Sequence, residues 1–116
     1  MAIVIYGKKS CSTCRKALAD LDARKVGYTF RDIGKEPLSV AEIEALVGDR
    51  AIRPFLNTRT ELYRTRSMKS ATPTKSEFIT WLRDDANLLR RPLLLRGAER
   101  LYGYAPVAYA ALAKKA

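Results

Sequence analysis

The stretch that decides the fold is YGKKSCSTCRKALAD, residues 6–20, in which Cys11 and Cys14 stand three positions apart. Four cations surround the two cysteines: Lys8, Lys9, Arg15 and Lys16. The first acidic residue of the stretch is Asp20. A Cys-x-x-Cys pair that follows a buried strand and begins a helix is typical of a redox motif.

The flanking sequence provides that setting. Ala2–Tyr6 is β-branched and aromatic and predicts a strand buried on both faces. Ser10 or Ser12 can cap the helix that follows, which we expect from about residue 12 to 25. Tyr28–Ile33 alternates well enough to predict a second strand. Strand, helix and strand at this spacing predict a βαβ unit with parallel strands.

The middle of the chain is predicted to be mostly helical. Two capping boxes, Ser39–Glu42 and Thr74–Glu77, each precede an apolar stripe. The first stripe is Val40, Ile43, Leu46 and Val47, and the second is Phe78, Ile79, Leu82 and Ala86. Between them, residues 51–66 predict short helical pieces.

The last part predicts a hairpin and a helix. LLRRPLLL and ERLY flank Gly97 as two strands, and Val107–Lys115 is an alanine-rich helix. The order βαβ, helical insert at about 38–87, then ββα predicts an α/β fold with a four-stranded mixed sheet. This is the thioredoxin-like (glutaredoxin-like) layout.

Length and composition limit the number of domains and the classes of partner that the chain can have. A chain of 116 residues predicts a single domain, 1–116. No apolar run is long enough to span a bilayer, so we expect a cytoplasmic protein without membrane association. The net charge of +10 would attract anionic partners. No nucleic-acid-binding signature is present, so direct nucleic-acid binding is not expected.

The two cysteines predict distinct chemical roles. Cations and a helix N-terminus favour the thiolate, so Cys11 is the predicted nucleophile. Cys14, one turn further on, lies within disulfide reach and is the predicted resolving thiol. Two core cysteines, a zinc half-site and accidental spacing are the alternatives. Zinc would need further Cys or His ligands, and the sequence has two Cys and no His. No metal site is predicted.

Five segments taken together resemble a known family: YGKKSCSTCRKA, RDIGKEPLS, LNTR, LLRRPLLL and LYGY. In order and spacing they resemble the ArsC/Spx/MgsR family of glutaredoxin-coupled arsenate reductases and Spx-type regulators. The resemblance runs from Ile3 to about Tyr104. It implies a thioredoxin-like fold with a helical insert.

The resemblance also implies an arginine before a cis proline facing the nucleophile, here Arg91 and Pro92. The predicted catalytic residues are then Cys11, Cys14 and Arg91. The predicted contacts for an anionic or thiol substrate are Lys8, Arg15, Arg59 and Pro92.

The chain departs from the arsenate reductases proper. Two arginines of those enzymes are replaced by Asn57 and Gly103, and the enzymes generally lack the second cysteine. These departures argue against arsenate as the substrate.

Three functions remain open. The first is a thiol–disulfide oxidoreductase without a bound cofactor, reduced by glutathione or by a thioredoxin or glutaredoxin partner. The second is an Spx-like regulator that binds the α subunit of RNA polymerase and is switched by the Cys11–Cys14 disulfide. The third is a basic binding module in which the two thiols have only a structural role.

Overall fold

The computed structural model describes residues 2–115 and divides the chain into two compact units. The sheet unit comprises the residues up to Lys35 and those from Arg91 onward. The helical unit is Glu36–Arg90. The single domain over residues 1–116 stays a prediction.

The sheet unit is built on a four-stranded mixed sheet. Its strands are β1 (Ile3–Gly7), β2 (Thr29–Asp32), β3 (Leu93–Arg96) and β4 (Glu99–Tyr102). Their order across the sheet is β2-β1-β3-β4. β1 is parallel to β2 and antiparallel to β3, which is antiparallel to β4. The predicted thioredoxin-like arrangement is confirmed.

β1 is less buried than the sequence predicted. Ile3, Ile5 and Gly7 are buried, whereas Val4 and Tyr6 on the opposite face are half-buried. The prediction of burial on both faces was therefore wrong for the second face. Apolar composition alone does not reveal how completely each face is covered.

Helix α1 spans Ser12–Ala23 and ends two residues earlier than predicted. Lys25 adopts a left-handed conformation with φ 58°. The Val26 N–H then donates to the Leu21 carbonyl and the Lys25 N–H to the Asp22 carbonyl, both at 3.0 Å. This pair of bonds is a Schellman motif, which ends the helix.

The start of α1 corrects a second prediction. The N-cap is Cys11, whose side chain makes no capping hydrogen bond, and Ser12 is the first helical residue. Neither Ser10 nor Ser12 is the cap. The turn closed by the Cys11 N–H on the Lys8 carbonyl, at 3.0 Å, fixes Cys11 at the helix entrance.

The helical unit contains α2 (Val40–Val47), α3 (Glu61–Thr65) and α4 (Lys75–Asp84). Short 3-10 turns occupy Arg53–Phe55 and Ala86–Leu88. Both predicted capping boxes are present and begin α2 and α4. Two residues were wrongly assigned to the predicted apolar stripes. Val40 is exposed at the first position of α2, and Ala86 lies beyond the end of α4.

The core of the sheet unit lies between the sheet and two helices. The last helix, α5, spans Pro106–Lys115 and packs against α1. The buried cluster comprises Ile3, Ile5, Ala17, Leu21, Leu94, Tyr109 and Leu112. Across residues 2–115, none of the helices has the length and apolarity needed to cross a membrane.

Tyr109 is the unusual member of this core. Its side chain is fully buried, and none of the residues in the range 2–115 hydrogen-bonds its hydroxyl. Its ring packs edge-on against Tyr104, with 5.0 Å between centroids. The Tyr104 hydroxyl, by contrast, donates to Asp20.

We expect Tyr109→Phe to leave the free energy of unfolding unchanged or to raise it by about 1 kcal/mol, because it removes a buried polar group that gains no hydrogen bond. Tyr104→Phe is the matched control. It deletes a hydroxyl that donates to a carboxylate and should lower the free energy of unfolding. Urea denaturation of both variants measures the difference, and a larger loss for Tyr109→Phe would contradict the prediction.

Candidate dithiol site

The register of the sheet brings distant parts of the chain to one end of β1. Tyr6 pairs with Leu93 across the antiparallel β1–β3 ladder. The residues that follow β1 therefore emerge beside those that precede β3, namely Arg91 and Pro92. The peptide bond between these two residues is cis, as the resemblance implied.

The loop from β1 to α1 is tied to β2 by one carboxylate. Asp32 accepts the Lys9 N–H at 3.2 Å through Oδ2, and the Gly34 N–H at 2.9 Å through Oδ1. These backbone donors, Lys9 first, hold the pKa of Asp32 below its ordinary value. An ionised Asp32 thus anchors the segment that carries Cys11.

Cys11 is half-buried at the entrance of α1. Burial opposes its ionisation, but other groups outweigh that effect. They are the backbone N–H and thiol of Cys14, the backbone N–H of Thr13 and the guanidinium of Arg91. Together they lower the pKa of the Cys11 thiol. Cys11 is the N-cap residue of α1, and the first turn of a helix favours negative charge.

Cys14 has the opposite character. Its side chain is fully buried, and both cysteines are free thiols. Burial, followed by the hydrogen bond and the charge of Cys11, raises the pKa of Cys14 to about 11. The Lys8 N–H and Arg91 act in the other direction. The pKa of Cys11 is thus lowered and that of Cys14 raised, and the Cys14 thiol donates a hydrogen bond to the Cys11 sulfur. The attacking and resolving roles stay predictions.

The charge acting on Cys11 comes from an unexpected direction. The cations next to Cys11 in sequence were expected to supply it. The cation that acts on both sulfurs is instead Arg91, which is distant in sequence. Arg15 is exposed and turns its guanidinium back to the Lys9 carbonyl, at 2.8 Å. Lys8 acts on Cys14 through its backbone N–H, which works to lower the pKa of that thiol. The predicted substrate contacts of Lys8 and Arg15 stay predictions.

Pro92 and Gly103 are linked beside the dithiol. Pro92 is buried, and its carbonyl accepts the Gly103 N–H at 2.9 Å. Gly103 has φ 75°, in the left-handed region that disfavours a side chain. Arg59 belongs to the helical unit, where its N–H donates to the Asn57 side chain at 3.1 Å. Its predicted substrate contact stays a prediction.

Two other features bear on ligands. A shallow groove of about 630 Å³ runs along α1, lined by Lys16, Ala19, Asp20, Ala23, Arg24 and Tyr104. Neither cysteine is part of its lining. From residue 2 to residue 115 there is no cluster of three or more Cys, His, Asp or Glu placed to hold a metal ion.

Comparison with known proteins gives the family. Residues 6–112 match the sequence profile of the ArsC family. The chain belongs to the ArsC family. The resemblance predicted from the five segments is confirmed.

Named relatives of this ArsC-family chain include regulators and enzyme-like proteins. The global transcriptional regulator Spx of Bacillus subtilis is 25% identical over 104 residues, covering 88% of this chain and 79% of Spx. A putative ArsC family related protein from Bacteroides fragilis is 28% identical and superposes with a TM-score of 0.79, covering 97% of this chain and 98% of that one. A possible arsenate reductase from Streptococcus mutans is 30% identical with a TM-score of 0.73, covering 88% and 90%.

The role of Arg91 can be tested by the pH profile of Cys11 alkylation in the Cys14→Ser background, where Cys11 is the one thiol left to react. We expect Arg91→Gln to move the midpoint to higher pH, because removing a nearby cation makes the thiolate less favourable. Arg100→Gln removes the same charge from the β4 hairpin, where its guanidinium donates to the Gly97 carbonyl at 2.7 Å. That control should leave the midpoint in place, and equal midpoints in all three proteins would contradict the assignment.

Proposed function

We propose that this ArsC-family protein is a thiol–disulfide oxidoreductase that uses Cys11 as nucleophile and Cys14 as resolving thiol. The supporting observation is the opposite pKa displacement of two hydrogen-bonded thiols at one helix N-terminus. Two ordinary core cysteines would both have raised pKa values, because burial opposes ionisation of a thiol. The substrate is a disulfide or a glutathione adduct.

The reaction proceeds in two exchanges. The Cys11 thiolate attacks one sulfur of the substrate disulfide, the S–S bond breaks, and the first thiolate leaves and takes up a proton. Cys14 then loses its proton and attacks Cys11 of the mixed disulfide, which expels the second substrate thiolate. The substrate gains two electrons and the protein is left with a Cys11–Cys14 disulfide.

The mixed disulfide itself prepares the second exchange. While Cys11 is a thiolate, its charge and its hydrogen bond help to keep Cys14 protonated. Once Cys11 is covalently joined to the substrate, both of these causes are removed. Burial, the largest cause of the raised pKa, remains, but Arg91 and the Lys8 N–H then act against it without opposition from Cys11. Cys14 therefore ionises more readily after the first exchange than before it.

Two glutathione molecules would regenerate the dithiol and leave as glutathione disulfide, and a thioredoxin or glutaredoxin partner could do the same. The charge distribution favours an anionic reductant. The sheet unit, which carries both cysteines, has 13 Lys and Arg against four Asp and Glu. The helical unit has nine against eight. Glutathione is an anion at neutral pH and is attracted to such a surface.

The order of the exchanges can be tested by trapping. On incubation with glutathione disulfide, Cys14→Ser should accumulate a glutathione adduct at Cys11, because no second thiol can resolve it. The wild-type protein should end as the intramolecular disulfide, and Cys11→Ser should remain reduced. Intact mass and peptide mapping identify each product. An adduct at Cys14 in Cys11→Ser, formed as fast as the Cys11 adduct, would refute the assigned roles.

A second function is supported by the Spx relatives. Like the Spx-type proteins of the resemblance, this chain has the second cysteine, and its similarity to Spx spans 104 residues. A Cys11–Cys14 disulfide could then switch binding to the α subunit of RNA polymerase. In this alternative the same dithiol is a sensor and needs no turnover.

The regulator is tested with purified bacterial RNA polymerase α subunit. If the alternative holds, the oxidised protein should bind the subunit and the reduced protein should not, or the reverse, since a switch requires different affinities for its two states. Cys14→Ala, which cannot form the disulfide, should match the reduced protein. Equal binding by both states, or no binding by either, would rule out a redox-switched partnership and leave the oxidoreductase.

A further inference from the structure

Gly7, the last residue of β1, lies in direct contact with Cys14. A Cβ atom built on Gly7 would be 2.7 Å from the Cys14 sulfur and 3.3 Å from the Cys14 Cβ. It would also lie 3.4 Å from the Phe30 ring. A real Cβ is not found as close as 2.7 Å to another heavy atom, so a side chain at position 7 requires that something move.

The backbone of Gly7 is held in place. It pairs with Asp32 in β2, and its carbonyl accepts the Ile33 N–H at 2.9 Å. The next residue, Lys8, directs its N–H toward the Cys14 sulfur. Since β1 is an inner strand with neighbours on both sides, the sulfur would move more readily than the strand.

We propose that Gly7 is a positioning residue for the dithiol: its missing side chain lets the Cys14 sulfur lie against the end of β1, within hydrogen-bonding reach of Cys11. The proposal rests on the dithiol function, because it concerns the same two sulfurs. Displacement of the Cys14 sulfur weakens its contact with Cys11. The intramolecular disulfide, in which Cys14 must bond to Cys11 as the outer thiolate leaves, then becomes harder to form.

Gly7→Ala and Gly27→Ala form a matched pair of substitutions. A Cβ on Gly27 would meet nothing within 4 Å. In glutathione redox buffers, Gly7→Ala should need an oxidised-to-reduced ratio at least about tenfold higher than wild type to form the Cys11–Cys14 disulfide. Gly27→Ala should stay within about twofold of wild type. Equal equilibria for Gly7→Ala and wild type would overturn the proposal.

The pH profile of Cys11 alkylation gives a second readout that a purely structural role would not change. Cys11 loses the hydrogen bond from Cys14 when that sulfur moves, so the midpoint in Gly7→Ala should rise relative to Gly27→Ala. In the Cys14→Ala background this bond is already gone. Gly7→Ala should therefore leave the midpoint unchanged there, and an equal shift in both backgrounds would contradict a role exerted through Cys14.

A double-mutant cycle covers the case in which Gly7→Ala folds poorly. Cys14→Ala removes the sulfur that a methyl at position 7 would meet. Gly7→Ala should therefore destabilise the Cys14→Ala protein less than it destabilises wild type, measured by urea denaturation. An equal loss in both backgrounds would show that the obstruction is not the sulfur.

Failure of the dithiol function has a different signature. If oxidised glutathione never joins Cys11 to Cys14 in wild type, the oxidoreductase is excluded. The double-mutant cycle still reports whether Gly7 positions the Cys14 sulfur.

Discussion

The pairing of β1 with strands from both ends of the chain is the constraint on which the site depends. β1 takes β2 on one side and β3 on the other, so the end of β1 is surrounded by residues near 32 and near 92. Asp32 anchors the loop to Cys11 from one side, and Arg91 acts on both sulfurs from the other. The N-terminus of α1 completes the surroundings. Without the central position of β1, these groups would have no reason to meet.

The unequal thiols follow from this geometry and from burial. Cys11 lies at the open entrance of α1, where backbone N–H groups and a guanidinium outweigh its partial burial. Cys14 is one turn further in, against β1, where burial dominates. A displacement of three residues along one helix is enough to lower the pKa of one thiol and raise the pKa of the other. This difference between the thiols arises at the helix entrance and requires no histidine.

Sequence predicted much of this architecture because the decisive signals are local. The capping boxes that begin α2 and α4 and the Gly97 hairpin follow from residues within a few positions of each other. The predictions that were wrong concern features that residue type does not reveal. Lysine has no preference for the left-handed backbone conformation, yet Lys25 adopts it just after the end of α1.

The site itself was less predictable than the fold. Charge near Cys11 in sequence does not reveal that Arg15 turns away to a carbonyl, or that Arg91 is the relevant cation. Arg91 was found through the family resemblance, and the contact of Gly7 with Cys14 requires the actual packing of α1 on β1.

The chain order of the sheet has a consequence for synthesis on the ribosome. The dithiol precedes the helical unit, Glu36–Arg90, in the chain, whereas β3 and Arg91 follow it. While that unit is being translated, β1 lacks one of its two neighbours, and Cys11 lacks the guanidinium that favours its ionisation. The pKa of Cys11 is therefore fully lowered only after β3 has joined the sheet.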